Sequence, residues 1–199
     1  MEATEHTDVL VVGAGQSGLA VGYQLQRRGR QVLLVDRNER IGESWRARWD
    51  SLKLYSPASR DGLPGMPFPA GRTAYPTKDE MADYLETYAA RFELPVRLGA
   101  EVDSLTQEDG RFIAHIGGSQ IEAESVVVAS GVFEKPHVPA FADELSPALT
   151  QLHSSAYRNI AQLQEGAVLV VGASHSGADI AYEAASQHEV VLSGRDTGQ

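Results

Sequence analysis

The sequence contains no cysteine. Within its 199 residues this excludes structural disulfides, thiolate metal sites, a cysteine nucleophile and the redox-active cysteine pair of disulfide reductases. Long hydrophobic runs are also missing, because no stretch approaches the roughly 20 apolar residues of a membrane span. The start, MEATEHTDVL, lacks the basic segment and apolar stretch of a secretory signal. We therefore expect a cytoplasmic protein with no membrane partner.

Positive charge is scarce as well. Lysine and arginine number 17 against 27 acidic residues, which gives a formal net charge of -10. A general nucleic-acid partner requires an excess of basic residues, so we expect none, and any phosphate binding must be local. The 6 histidines show no HExxH or paired-ligand spacing, and we predict no metal site. The composition does not indicate an oligomeric state.

Hydrophobic patterning predicts an α/β protein with two strand-turn-helix segments. The stretch between the first segment and the first long helix is irregular and rich in glycine and proline, and a loop of that length is typical of a segment that lines a site. A capping-box pattern marks the start of the long helix. The predicted elements are a strand at 8–12, a helix at 17–28, a strand at 31–36, a loop at 37–77, a helix at 78–91, an antiparallel meander within 96–123, a buried strand at 124–129, and a second strand, turn and helix from 166 onward.

The most informative feature is an internal repeat at a spacing of 159 residues. The sequence VLVVGAGQSG at 9–18 matches VLVVGASHSG at 168–177. The first copy fits the dinucleotide-binding fingerprint completely. Gly13 permits the tight turn, Gly15 lets the backbone approach a pyrophosphate, and Gly18 allows the helix to pack closely on the strand. The helix N-terminus adds free N–H groups and a positive dipole end, so the pattern predicts a dinucleotide site.

The two copies differ where a dinucleotide's ribose would lie. The residue 18 positions after the last glycine is Asp36 in the first copy and Arg195 in the second. Within the turn, the second copy also has Ser174 in place of the middle glycine. An acidic side chain accepts hydrogen bonds from a ribose 2'-hydroxyl, and an arginine attracts a 2'-phosphate. Asp36 therefore favours FAD or NAD, and Arg195 with Ser193 favours NADPH. The alternatives are that Asp36 only ends a strand and that Arg195 is a solvated surface charge.

Two nucleotide-binding folds in tandem resemble the two-dinucleotide-binding flavoproteins. Within that group the chain looks most like the flavin-containing monooxygenases and their bacterial relatives, the class B flavoprotein monooxygenases, over essentially its whole length. The resemblance implies a Rossmann-like FAD/NAD(P)-binding fold, with a parallel sheet, a small antiparallel meander and the start of a second Rossmann unit. The motifs that carry it are GAGQSG at 13–18, GESWR at 42–46, YPTKDE at 75–80, VVASG at 127–131 and GASHSG at 172–177.

The resemblance also implies roles for individual residues. In the family the segment matching 42–46 wraps the FAD, with the Ser44 position near the pyrophosphate and ribitol and Trp45 and Arg46 beside the flavin. A core anchor is the alternative role for Trp45. Val102 would meet the adenine through its backbone. The full set of expected cofactor-binding residues is Gly13, Gly15, Gln16, Ser17, Gly18, Asp36, Arg37, Gly42, Ser44, Trp45, Arg46, Val102, Ser130, Gly131, Gly172, Ser174, Ser176, Gly177, Ser193 and Arg195.

The implied activity is hydride transfer from NADPH to FAD, followed by reaction with oxygen and a small-molecule substrate. Tyr55 stands where the family carries an asparagine near the flavin, which weakens the expectation of oxygen insertion. Tyr55 is expected to lie near the flavin, and we identify no catalytic residue. The alternative is a truncated protein that binds FAD or a nucleotide without turnover. The implied domains are an FAD-binding domain at 1–160, which includes the loop and the meander, and the incomplete beginning of an NADPH-binding domain at 161–199.

Overall fold

The computed structural model describes residues 4–131 and 136–195. These residues form two compact units. The first unit contains residues 4–46 and 54–131, and the second contains residues 47–53 and 136–195. Our boundary at residue 160 between two cofactor domains stays a prediction, and residues 196–199 of the predicted second domain lie outside the described residues.

The first unit contains a six-stranded mixed sheet with strand order β3-β2-β1-β6-β5-β4. The four strands β3, β2, β1 and β6 run parallel, and β6, β5 and β4 form an antiparallel meander. The predicted Rossmann-like fold class is thereby confirmed. The elements are β1 (Glu5–Val12), α1 (Gln16–Gln26), β2 (Val32–Val35), α2 (Glu43–Arg46), α3 (Ala58–Asp61), α4 (Lys78–Arg91), β3 (Val96–Arg97), β4 (Ser104–Glu108), β5 (Arg111–Ile116) and β6 (Ser119–Val128).

Strand β6 differs from the prediction. The last strand of the meander and the separate buried strand are one ten-residue strand. Its first half pairs with β5 through Ala123 and also with β1, whereas among the described residues its second half pairs with β1 alone. Burial of the second half was a wrong prediction, because no described strand covers its other edge and Val128 is 69% exposed.

Helix α4 begins and ends where the sequence predicts. The Thr77 hydroxyl accepts from the Glu80 N–H, and the Glu80 carboxylate accepts from the Thr77 N–H, so the capping box is present. The tyrosines of α4 are buried and fix the preceding loop through their hydroxyls. Tyr84 accepts from the Leu63 N–H and donates to the Met66 carbonyl, both at 2.6 Å. Part of the long predicted loop is therefore held in one conformation against α4.

The described residues of the second unit form a parallel pair of strands, one α-helix and two 3₁₀ helices. Its elements are two 3₁₀ helices (Ala140–Glu144 and Ile160–Gln162), β7 (Val168–Val171), α5 (His175–Ala184) and β8 (Val190–Ser193). The predicted strand, turn and helix of the second repeat are confirmed. Residues 47–53 also belong to this unit, because the Asp50 N–H donates to the Arg158 carbonyl at 2.7 Å and the Ser51 hydroxyl donates to the Glu183 carboxylate at 2.7 Å.

Two buried tyrosine hydroxyls give opposite predictions for stability. Tyr84→Phe removes two hydrogen bonds and leaves the Leu63 N–H unpaired, so we expect a loss of about 2 kcal/mol. The Tyr157 hydroxyl is buried beside the Glu183 carboxylate, but it makes no hydrogen bond of ordinary geometry among the described residues. Tyr157→Phe is therefore expected to raise stability by about 1 kcal/mol. Urea unfolding at pH 7 measures both values, and a loss of equal size in the two variants would contradict this reasoning.

The pH dependence of Tyr157 has a defined sign. Burial, and then the nearby carboxylate of Glu183, raise the pKa of Tyr157 from 10.0 to about 12. The unfolded chain then releases this proton at lower pH than the folded chain does. The free energy of unfolding is therefore unaffected by this titration below pH 10, and it falls as the pH rises from 10 through about 12. The phenylalanine variant is expected to lack this alkaline loss.

Candidate functional site

The first glycine-rich turn joins β1 to α1, and its three glycines serve different purposes. Gly13 has a φ of +105°, and a Cβ there would come within 2.4 Å of the Ala129 carbonyl oxygen. A Cβ at Gly18 would come within 1.8 Å of the Gly13 carbonyl oxygen. Close packing therefore demands glycine at both positions. Gly15 has an ordinary φ of -77°, and a Cβ there would meet nothing within 4 Å. Packing does not explain this glycine, and open space lies beside its backbone.

The N-terminus of α1 faces no competing negative charge from its own first turn. Gly15 is the N-cap residue and supplies no side-chain cap, and the first turn contains no acidic residue. The first N–H groups of a helix have no partner inside the helix, and the helix dipole places partial positive charge there. The open space at Gly15 therefore adjoins donors suited to an anion such as a pyrophosphate.

Asp36 follows β2 and ties it to the turn. Its carboxylate accepts from the Ala14 N–H at 2.7 Å, and from the backbone and side-chain N–H groups of Asn38 at 2.9 and 2.8 Å. A carboxylate offers about four lone-pair sites, so these three bonds leave capacity for a ribose hydroxyl. Asp36 thus stabilises the turn and can still accept a hydrogen bond from a ribose hydroxyl, the role that the sequence predicts.

Other predicted residues lie at the same end of the parallel strands. The Ala129 N–H donates to the Val12 carbonyl at 2.7 Å, which brings the Ser130 and Gly131 that follow β6 to the end of β1. The Ala100 N–H donates to the Asp36 carbonyl at 2.8 Å, so the segment leading to Val102 passes the end of β2. Ligands of α/β sheets bind outside the carboxyl ends of the strands, and these segments converge there.

The segment from Gly42 to Arg46 packs tightly on α4. Gly42 has a φ of +81°, and a Cβ there would lie 2.7 Å from the Ala82 carbonyl oxygen. The Arg46 guanidinium donates to the Ile41 carbonyl at 2.7 Å and to the carboxylates of Asp83 and Glu86 at 2.6 and 3.2 Å. Its side chain is only 16% exposed. The structure therefore places the Arg46 side chain against α4, where it fixes the position of the segment.

Two further cations, Lys78 and Arg40, help to hold this segment against α4, and the sequence predicted a role for neither of them. Lys78 is 6% exposed, and its ammonium donates to the Arg46 carbonyl at 3.3 Å and to the Asp79 carboxylate at 2.8 Å. Arg40 binds Glu86 through two hydrogen bonds and holds the pKa of the Glu86 carboxyl below its usual range. The only signal for Lys78 was its place in the YPTKDE motif. The neighbouring Trp45 is half-buried, and Ser44 is exposed.

Arg37 and Tyr55 are among the predicted residues that lie at the surface of the first unit. Arg37 is exposed at the end of β2. Tyr55 has 53% of its surface exposed, and the neighbouring Leu54 N–H donates to the Pro76 carbonyl at 2.7 Å. Tyr55 is therefore accessible to a ligand.

The second glycine-rich turn reproduces the first in the second unit. Gly172 has a φ of +112°, and a Cβ at Gly177 would lie 1.7 Å from the Gly172 carbonyl oxygen. The Gly172 N–H donates to the Ser193 carbonyl at 2.7 Å, as the Gly13 N–H donates to the Val35 carbonyl. Ser174 is the N-cap residue of α5 and is exposed, and its hydroxyl does not cap the helix. Ser176, in the first turn of α5, is half-buried.

Strand register corrects the equivalence of Asp36 and Arg195. Val12 pairs with Val35 in the first repeat, and the matching Val171 pairs with Ser193 in the second. The residue after the paired strand is Asp36 in one case and Gly194 in the other. The spacing of 18 residues misleads because α5 has 10 residues whereas α1 has 11. Gly194 therefore occupies the position of Asp36, and Arg195 occupies that of Arg37.

Gly194 leaves no room for an acidic residue at this position. A Cβ there would lie 2.5 Å from the Ala173 backbone nitrogen. The adjacent Arg195 is exposed. Among the described residues, the end of β8 thus offers an arginine to a phosphate and has a glycine where the first unit has Asp36.

Among the helices of the two described ranges, none is long and apolar enough to cross a membrane.

Comparison with known proteins gives matches over nearly the whole chain. A family model described as pyridine nucleotide-disulphide oxidoreductase matches residues 10–199. The uncharacterized oxidoreductase CzcO-like of Geobacillus kaustophilus is 51% identical over 186 residues, which are 94% of this chain and 53% of that protein. The indole-3-pyruvate monooxygenase YUCCA1 of Oryza sativa subsp. japonica is 34% identical and matches 87% of this chain and 44% of its own length. The chain spans about half the length of these curated relatives.

A solved structure agrees with these matches. The flavin-containing monooxygenase from Stenotrophomonas maltophilia superposes with a TM-score of 0.90 at 32% sequence identity. The match covers 95% of this chain and 58% of that chain. The predicted resemblance to flavin-containing monooxygenases is thereby confirmed.

Proposed function

The chain belongs to the pyridine nucleotide-disulphide oxidoreductase family, and we propose that it binds FAD at the first glycine-rich turn and NADPH at the second. We propose further that it acts in a cytoplasmic oxidoreductase of the monooxygenase kind, which uses oxygen and a small-molecule substrate. The absence of cysteine from these residues favours this kind over a dithiol enzyme. The observation that carries the proposal is the open space beside Gly15 at the N-terminus of α1.

The first unit offers groups that fit FAD. The N–H groups at the start of α1 and the backbone of Gly15 would hold the pyrophosphate, and Asp36 would accept from the ribose. Anchoring by Arg46 and Lys78 would keep Trp45 in one place beside the ring system. Bound FAD supplies two-electron transfer between NADPH and oxygen, and the protein contributes orientation and electrostatics.

The second unit supports NADPH over NADH. Arg195 is exposed, and within residues 4–131 and 136–195 its side chain has no partner, which favours contact with a 2'-phosphate. The close approach of Ala173 excludes a carboxylate side chain at Gly194, the position that Asp36 occupies in the first unit. The exposed hydroxyl of Ser174 would add a donor near the pyrophosphate.

A nucleotide-binding protein without turnover is the second candidate. One observation favours it. The described part of the second unit contains two strands, and they leave Leu169 and Val171 with 63% and 55% of their surfaces exposed. A small exposed sheet gives a pyridine nucleotide few contacts, so FAD would be bound without being reduced.

Anaerobic mixing of the FAD-loaded protein with NADPH separates the two candidates. The enzyme is expected to lose its visible flavin absorbance, with slower loss when NADH is supplied. Unchanged absorbance with both nucleotides would leave only the binding function. When air is then admitted without substrate, we expect release of hydrogen peroxide. The phenol of Tyr55 offers one hydrogen-bond donor to the oxygenated flavin, whereas the amide of the asparagine that the family carries there offers two donors and an acceptor.

A further inference from the structure

A groove of about 400 Å³ lies in the first unit, between α3 and the loop that follows it. Ala58, Leu63, Pro67 and Phe68 form an apolar lining, and Ser59 and Arg72 add polar groups. Its size falls within the range of about 300–1,000 Å³ that is common for small-molecule sites. A second cavity, beside Tyr23, has about 220 Å³, and its cation Arg27 already lies over the Tyr23 ring.

Arg72 is unusual among the arginines of this protein. Over the described ranges 4–131 and 136–195, only Arg60, Arg72 and Arg195 have no hydrogen bond, ion pair or ring contact for the side chain. The chain carries 27 acidic residues, so an arginine without a carboxylate partner is conspicuous. Arg72 lines the groove, whereas Arg60 does not.

We propose that this groove binds a small carboxylate with an apolar body. A guanidinium pairs with a carboxylate through two parallel hydrogen bonds, and no side chain of the described residues competes for the guanidinium of Arg72. The Ser59 hydroxyl would add a third bond, and the wall that contains Leu63 and Phe68 would bury the apolar body. A single cation over an apolar wall suits a monocarboxylate better than a di- or triphosphate. None of the residues that line the groove belongs to either glycine-rich turn, so the proposal does not depend on FAD or NADPH binding.

Titration of the chain with phenylacetate and phenylacetamide, followed by NMR at low salt, tests the proposal. The two probes share an apolar ring and differ in charge. We expect saturable binding in which phenylacetate binds about fivefold more tightly, as one partly exposed ion pair allows. Arg72→Gln should remove this preference and leave the affinity for phenylacetamide unchanged.

Two further variants serve as controls. Arg60→Gln removes the same charge from a neighbouring arginine outside the groove, and it should preserve the preference for phenylacetate. Ala70→Trp, at an exposed position of the lining, should weaken the binding of both probes. The proposal is overturned if neither probe binds saturably, if phenylacetamide binds as tightly as phenylacetate, or if Arg60→Gln and Arg72→Gln have the same effect.

Discussion

Gly15→Val is expected to weaken FAD binding at least about a hundredfold while the chain stays folded. A side chain at this position would fill the space that the pyrophosphate needs, at a backbone conformation that valine adopts without strain. Loss of two charge-assisted backbone hydrogen bonds, at about 1.5 kcal/mol or more each, corresponds to about a hundredfold in affinity. Calorimetric titration of each purified variant with FAD measures the change.

Two glycine variants provide the controls for this result. Gly71→Val makes the same substitution at an exposed position with no neighbouring atoms within 4 Å, so FAD affinity should be unchanged. Gly18→Ala would force a Cβ to within 1.8 Å of the Gly13 carbonyl, so it should disrupt the fold itself. Undiminished FAD affinity in Gly15→Val would show that the flavin does not use this turn.

Arg195→Ala is expected to weaken NADPH binding about tenfold or more and to leave NADH binding almost unchanged. A charge-assisted pair with the 2'-phosphate contributes on the order of 1.5 to 3 kcal/mol, and NADH has no such phosphate. Titration of each variant with NADPH and with NADH measures the two affinities. Arg60→Ala is the matched control, because it removes another unpaired arginine in the first unit. Equal losses for the two nucleotides would contradict the assignment.

Local signals in the sequence identified the elements that depend on neighbouring residues. The capping box at Thr77 and Glu80 is completed within one helical turn, and the glycine pattern of each nucleotide turn is satisfied between one strand and one helix. The helix α4 and both turns could therefore be predicted. The position of Asp36 at the end of β2 follows from the same short unit.

Features that depend on distant residues could not be predicted. Whether residues 120–129 form one strand or two depends on their pairing with β1 and β5, which lie elsewhere in the chain. Gly194 aligns with Asp36 because α5 is one residue shorter than α1. Counting residues from the last glycine of each turn does not reveal this difference. The packing of the Arg46 side chain against Asp83 and Glu86 depends on α4, which is distant in the sequence, whereas the place of Arg46 beside the flavin stays a prediction. The inclusion of residues 47–53 in the second unit has no local signal either.

The flavin content of the purified chain tests the central claim most directly. The chain is incubated with FAD, separated from free cofactor by gel filtration, and its visible absorbance is compared with its protein concentration. We predict one FAD for each chain, because the open space at Gly15, the start of α1 and Asp36 all lie within the first unit. A folded chain that emerges colourless would contradict the claim that the first glycine-rich turn holds FAD.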